Sequence, residues 1–330
     1  MKFAASGQKS IGSIMISETK TDSISGERSH QAVTTTCQLC AGRNFSPTPF
    51  YYHWDGKEFR LVKCRSCGLI TLDPKPTAEE LVKLYSEDYF ETGQHGLNQV
   101  GNYEASMDNK SIDRRKAYLQ ENILRYAPDV KSLFEIGYAM GHLLVAARDM
   151  GMKVSGIEFS DFAATRAKEK FDLNLLSGDF ETKELSNEYN QWDCVFGGDV
   201  FEHFANPDAV AAKISKLLKP GGVSVLYIPS TFNLFSTKLA VMVYKLTGKR
   251  KKMYDNPYHL YEYTTGTLSK LLSKHFSKVV IVNKIKKPSE LNMKNKTVEY
   301  RLKRLVHYVN YPFTKLLNRN GDRLLVLAYK

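Results

Sequence analysis

The sequence predicts an α/β protein: a mostly parallel sheet with helices on both faces, preceded by a small cysteine-held module. Three observations predict it. From residue 131 onward, short apolar runs alternate with segments carrying apolar residues at helical spacing, the pattern of βαβ units. The first strand–helix junction, FEIGYAMGHL, places two glycines beside an acid, and the next strand ends on Glu158. Ahead of both lie Cys37, Cys40, Cys64 and Cys67 in the pattern C-x2-C-x23-C-x2-C.

Taken in order, residues 1–33 are rich in Ser, Thr, Gly and Lys without a sustained period, and a disordered tail is expected there. Residues 34–75 hold the cysteine pairs and, between them, the strand-like runs YYHW and FRLVK. Residues 76–111 read as a helical linker or lid. Thr77, with Glu80 three residues on, has the spacing of a capping box. SIDRRKAYLQENILRYA is a helix by its period. The strands then read KSLFEIG, KVSGIE, LNLLSG, WDCVFGGD, VSVLYIP, KVVIVNKI and RLLVLAYK. The intervening helices read GHLLVAARDMG, SDFAATRAKEKF, NPDAVAAKISKLLKPGG and TTGTLSKLLSKHF, the third of them expected to end at glycine. Insertions interrupt the domain of residues 112–330 at about 230–262 and 286–320.

The 330 residues carry a net charge of +12. The excess lies at one end: from Lys238 onward there are 21 Lys and Arg against 5 Asp and Glu. Such a field favours an anionic partner, whether a phosphorylated substrate, a nucleic acid or an acidic membrane surface. No apolar run approaches the roughly 18 residues that span a bilayer. The first residues lack the continuous apolar core of a secretory signal, so a cytoplasmic location is expected. In that compartment two C-x2-C pairs point to a structural zinc site, because four thiolates close a tetrahedron with no open position. The fifth cysteine, Cys194, lies in an apolar strand and reads as core.

Gly137 and Gly141 permit a tight turn and close approach of a ligand to backbone. Glu158 ends the second strand where a carboxylate can hold ribose hydroxyls. The spacing G-Y-A-M-G does not fit the dinucleotide fingerprint. The acid before the first glycine, Glu135, suits a positively charged ligand such as S-adenosylmethionine (SAM).

At these residues the chain resembles the class I SAM-dependent methyltransferases, over about residues 112–330. SLFEIGYAMGHLLVAARDMGMKVSGIEFS is similar to the first two motifs of the family, SGDFE to the third-strand motif, and WDCVFGGDVFEHFANPDAVAAKISKLLKPGGVSVLYIP to the motifs after strands four and five. The resemblance implies a Rossmann-like seven-stranded sheet whose last strand inserts antiparallel. It also implies a cofactor set of Glu135, Gly137, Gly141, Glu158, Phe159, Asp179, Phe180 and Asp199, with Asp179 and Phe180 at the adenine and Asp199 at the methionine end. The chain departs from the family at Tyr138 and at Ala139, where glycine is usual. A methyl group at 139 fits a negative φ, and a positive φ there is expected to weaken cofactor binding.

In the same resemblance Glu202 and His203 of GDVFEHF face the transferred methyl, with His203 as general base, since histidine commonly titrates near pH 6.5. D-x-x-E-H with a later histidine, His259 in NPYHLYEYT, is also similar to the metal-binding arrangement of ubiquinone-pathway O-methyltransferases and small-RNA 2′-O-methyltransferases. A second divalent ion at Asp199, Glu202, His203 and His259 is the alternative role for these side chains. CRSCGLITLDPKPTAEELVKLYSEDYF is similar to the zinc-binding N-terminal module of methyltransferases acting on sugars, surface glycans and natural products.

The expected function is therefore SAM-dependent methyl transfer to a small-molecule or glycan-type acceptor, at a sugar or related hydroxyl, the acceptor carrying phosphate in one version. The alternatives are an RNA-directed enzyme, a C-methyltransferase, and a non-catalytic binding protein. The insertions STFNLFSTKLAVMVYKLTGKRKK and KTVEYRLKRLVHYVNYPFTKLLNR combine apolar helical stretches with basic residues. They are expected to pack as a lid, with peripheral membrane contact as the other reading. Tyr258, Tyr261 and Tyr263 are expected to line the acceptor pocket.

Overall fold

The computed structural model describes residues 36–84, 109–253, 256–257, 259–290 and 298–330. The expected tail, Tyr258 and residues 85–108 of the expected linker or lid lie outside the described residues.

The N-terminal module begins with an antiparallel meander of β1 (Phe45–Trp54), β2 (Lys57–Cys64) and β3 (Ile70–Asp73). α1 (Ala78–Leu84) follows. Its capping box forms: the Thr77 N–H donates to Glu80 Oε2 at 2.7 Å, and the Glu80 N–H to Thr77 Oγ1 at 3.2 Å. α2 (Asn109–Leu119) runs into one π turn over Gln120–Leu124.

The βα units come next. β4 (Ser132–Ile136) leads to α3 (His142–Asp149), and β5 (Lys153–Glu158) to α4 (Asp161–Phe171). Ser160 caps α4 by accepting the Ala163 N–H. The short β6 (Leu176–Ser177) precedes β7 (Trp192–Gly198), α5 (Pro207–Leu217) and β8 (Leu218–Pro229). α5 carries Pro at its first position behind the Asn206 cap. It stops at Leu217, four residues short of the glycine expected to end it. Pro220 is the reason: the residue before a proline is driven out of the helical region, so the LKPGG segment runs extended as the start of β8.

The remaining elements are α6 (Phe235–Thr247), β9 (Lys251–Lys252), β10 (Tyr261–Glu262), α7 (Thr265–Leu272), β11 (Lys278–Lys284), α8 (Val298–Leu317) and β12 (Arg323–Tyr329).

The large sheet has seven strands in the order β11-β12-β8-β7-β4-β5-β6. β4 pairs parallel with β5 and β7, β5 with β6, and β7 with β8. β12 pairs antiparallel with both neighbours, as expected. All five residues of β4 are buried, which fits a strand covered on both faces.

The smaller sheet has the order β10-β3-β2-β1-β9. Its two edges, β9 and β10, come from the first insertion, some 190 residues downstream of the strands they pair with. One buried cluster joins Tyr52, Phe59, Leu61 and Leu72 of the small sheet to Phe134 and Trp192 of the large one and to Phe201 just beyond β7. The described residues accordingly form one compact unit. No helix among the described residues is long and apolar enough to cross a membrane.

Candidate active site and cysteine centre

The β4–α3 junction is held by close contacts that explain its glycines. Gly137 has φ +71°, and its N–H donates to Ile157 O at 2.8 Å. A Cβ there would lie 2.5 Å from Val200 Cγ1, so only glycine fits. Gly141 has φ +77°, and a Cβ would lie 2.7 Å from Leu173 Cδ1.

Ala139, between them, has φ +47°. That is the left-handed conformation, which costs a residue with a Cβ about 1–2 kcal/mol. The positive φ is the case in which the sequence reading expects weaker cofactor binding. Glu158 supports the strained loop: its Oε2 accepts the Ala139 N–H at 2.7 Å and its Oε1 the Ser160 N–H at 2.9 Å. Each carboxylate oxygen keeps further acceptor capacity. Burial raises the Glu158 pKa against these backbone N–H groups.

Tyr138 does not crowd the loop. Its ring is buried in the core, and its hydroxyl donates to Leu176 O at 3.2 Å. Gly156 makes the room, since a Cβ at 156 would sit 3.1 Å from Tyr138 Cδ1 and 2.6 Å from Glu135 O.

Glu135 is buried, and its Oε2 has no hydrogen-bond partner among the described residues. Burial pushes its pKa up to about 8, against the pull of Arg115 and with added repulsion from Glu158. An orphaned buried carboxyl at the carboxyl end of a strand fits a cationic ligand, which would satisfy it.

Asp179 accepts the Glu181 N–H at 2.9 Å and the Thr182 hydroxyl at 3.0 Å. Phe180 is buried, its ring centroid 5.7 Å from that of Phe204 and 5.1 Å from Lys213 Nζ. Phe159 is 48% exposed.

At the end of β7 the four side chains of the D-x-x-E-H reading separate. Asp199, with φ +55°, pairs with Arg323 of β12. The group able to hold a metal contains Glu202, His203 and His259 without Asp199, because the guanidinium takes the Asp199 carboxylate.

The other three converge. Glu202 sits on a 3-10 turn, Phe201–His203, and is 1% exposed. Its Oε1 lies 3.4 Å from His203 Nε2 and 3.8 Å from His259 Nε2. The two imidazoles are 5.0 Å apart and nearly perpendicular. The Leu260 N–H donates to Glu202 O at 3.0 Å and fixes the insertion against the turn. Burial alone would raise the Glu202 pKa, but His203 and His259 hold it below the usual carboxylate value. Three such ligands could hold a divalent ion with positions left open. Alternatively, the carboxylate can stabilise an imidazolium.

Two participants were missed in the sequence. Glu262 Oε1 lies 3.9 Å from His259 Nδ1, and its signal was its place three residues after that histidine. Arg323 had no local signal. Tyr261 and Tyr263, expected to line the acceptor pocket, are instead buried. Tyr261 donates to Ala205 O at 2.9 Å and accepts from Lys75.

The four cysteines meet as the spacing implies. Cys37 and Cys67 sulfurs are 3.4 Å apart, and those of Cys40 and Cys64 are 3.6 Å apart. A tetrahedral ion with zinc–sulfur bonds of about 2.3 Å spaces its ligands by about 3.8 Å, so the sulfurs fit one. The two turns mirror each other: Ala41 N–H donates to Cys37 O at 2.8 Å and Gly68 N–H to Cys64 O at 2.9 Å. Burial would raise the Cys64 thiol pKa, yet the backbone N–H groups of Cys67 and Ser66 help to bring it down to about 7. Burial pushes the Cys37 and Cys67 thiols up instead, so Cys64 offers its thiolate to a metal ahead of them.

The profile of a family described as a methyltransferase domain matches residues 112–275. No curated protein matches the chain. Among solved structures, a SAM-dependent methyltransferase from Thermotoga maritima is 19% identical, with a TM-score of 0.44, over 70% of this chain and 96% of its own. Phosphoethanolamine N-methyltransferase 2 of Haemonchus contortus is 17% identical, with a TM-score of 0.49, over 79% of this chain and 61% of its own. An amino pentose methyltransferase from Micromonospora echinaspora is 25% identical, with a TM-score of 0.33, over 39% of this chain and 56% of its own.

Proposed function

Because this chain carries the domain of the class I SAM-dependent methyltransferases, we propose that it methylates the oxygen of a small-molecule or glycan-type hydroxyl, a sugar hydroxyl first among these. One observation carries the reading: His203 and His259 both contact the buried Glu202 at the carboxyl end of β7. Ligands of open α/β sheets sit at that edge. A hydroxyl must lose a proton as it is alkylated, and an imidazole at the site can accept it. The imidazolium formed is stabilised by Glu202, whose carboxylate oxygens are buried and have no hydrogen-bond partner among the described residues. A neutral amine carries its own lone pair and needs no such base.

Glu135, Gly137, Gly141, Glu158, Phe159, Asp179, Phe180 and Asp199 would hold the cofactor, with Glu135 facing its positive charge. SAM supplies, when bound, an electrophilic methyl group on a sulfonium. Cys37, Cys40, Cys64 and Cys67 would hold a structural zinc ion. The similarity of this module to those of glycan- and natural-product-modifying methyltransferases supports a sugar acceptor.

The test is transfer of labelled methyl to a panel of nucleotide-activated sugars, with the product read by NMR. An O-methyl product is expected. His203→Gln should lower turnover about 10²–10⁴-fold with SAM affinity retained. A carbon-methylated product, or an unimpaired His203→Gln, would refute the proposal.

A further inference from the structure

Among the described residues, thirteen large hydrophobic side chains are exposed, and twelve of them lie on α6 and α8. The two helices pack against each other. Lys238 of α6 also donates to Asn320 Oδ1, just past α8, at 2.7 Å.

α8 is docked inside out. Its buried stripe is polar: His307 meets Lys286 O at 2.9 Å, Asn310 donates to Asn320 O at 2.9 Å, and Thr314 donates to the same oxygen. These three residues are 8%, 6% and 1% exposed. Leu302, Leu305, Val309, Phe313 and Leu316 face solvent at 54–81% exposure. α6 leans on the small sheet through Tyr244, whose ring meets that of Phe50 edge-on at 5.9 Å. Met242, Val243 and Leu246 remain exposed, and no residue of α6 is fully buried. The sequence expectation of a lid requires these faces to be covered, and by the described residues they are not. Exposed apolar side chains concentrated on two neighbouring helices mark an interaction site.

The charges around the patch narrow the occupant. Residues 235–252 and 298–319 together hold eleven Lys and Arg against one acid, Glu299. Lys245, Lys249, Lys315 and Arg319 are exposed. A second copy of the chain would bring two basic rims together, and like charges repel. Nucleic acid would match the charge, but its interfaces are strongly polar, and this face is mainly aliphatic. Apolar side chains bounded by basic ones suit the interfacial layer of an anionic bilayer, with the aliphatic groups among acyl chains and the cations at phosphates.

We propose that α6 and α8 form a docking face for an anionic phospholipid surface, so that the enzyme works as a peripheral membrane protein. The proposal is independent of the acceptor assigned above.

The experiment is flotation of the full chain with vesicles of phosphatidylcholine containing 30 mol% (about one lipid in three) phosphatidylserine, against pure phosphatidylcholine. Binding should be at least about tenfold stronger to the anionic vesicles and should fall with salt. Leu246→Asp with Leu316→Asp should lower it about tenfold or more, with melting temperature and SAM affinity unchanged, since both leucines are 81% exposed. Lys245→Glu with Lys315→Glu should abolish the preference for the anionic lipid. Absence of vesicle binding, or equal binding to both vesicles, would overturn the proposal. So would a dimer in sedimentation that the leucine variant dissociates, or RNA binding that the leucine variant abolishes.

Discussion

Glu135 makes the reasoning about the cofactor site quantitative. Its carboxyl is buried, has an unpartnered oxygen, and titrates at about 8 where 4.5 is ordinary. A raised carboxyl pKa means that the fold favours the protonated form. The stability this contributes is fully present below pH 4.5 and is lost as pH rises through 8. At 1.36 kcal/mol per pH unit, ionising the group in the folded state costs about 5 kcal/mol, of which about 3 kcal/mol is felt at pH 7. Glu135→Gln removes that dependence while keeping the shape. In urea denaturation, the difference in stability between Glu135→Gln and wild type should therefore move in the variant's favour by several kcal/mol between pH 5 and pH 8.5. A cationic ligand reverses the preference by pairing with the ionised form. From pH 7.0 to 5.5 the ionised fraction of a group at about 8 falls about thirtyfold, and SAM affinity measured by calorimetry should fall with it. Glu158, also raised by burial, acts in the same direction, so Glu135→Gln should flatten the profile without abolishing it. A stability difference that does not change with pH, together with an affinity profile unaltered by the substitution, would refute both the buried acid and its role toward the cofactor.

Other consequences can be checked directly. Ala139→Gly relieves a left-handed residue and should raise stability by about 1 kcal/mol. This corresponds to about 2–4 °C in melting temperature, with SAM affinity equal or better; a lower melting temperature would count against the strain. Glu158→Ala removes the acceptor of both the Ala139 and Ser160 N–H groups, and calorimetry should show SAM binding lost from a protein that still melts cooperatively. Cys40→Ala should abolish zinc in metal analysis. It should also lower the melting temperature of the whole unit rather than of an N-terminal piece, because Cys37 and Cys64 share a core with Phe134 and Trp192. Glu202→Gln removes the carboxylate that both imidazoles share and should lower turnover about 10²-fold or more, with SAM affinity retained.

Much of the architecture was legible in the chain because its signals are local. The alternation of apolar strands with periodic helices needs only neighbouring residues to be read, and all seven strands of the large sheet lie where the runs place them. The capping box at Thr77 and the turn at Gly137 are local as well. The cysteine centre was legible for another reason: two C-x2-C pairs at this spacing are the pattern of a single four-thiolate site. The Glu202–His203–His259 cluster was half legible, since the first two are adjacent and the third was reached only through a resemblance.

Contacts between distant segments left no such trace. Arg323 takes Asp199 from the metal-ligand set across 124 positions, and nothing near either residue announces it. Tyr138 departs from the family in sequence, and its ring finds room only because Gly156, on the neighbouring strand, has no side chain. The first insertion has the composition of a lid, yet two short stretches of it complete the edges of the small sheet. Periodicity and spacing by themselves determined the alternation of strands and helices and the cysteine-held module, and the motifs at the strand ends carried the resemblance that implied a Rossmann-like fold. Only the tertiary structure decided which carboxylate meets which cation, and that α8 turns its polar stripe inward. Period alone identifies the two faces of a helix, but the face that is buried depends on what the rest of the chain presents to it, here the carbonyls of Lys286 and Asn320.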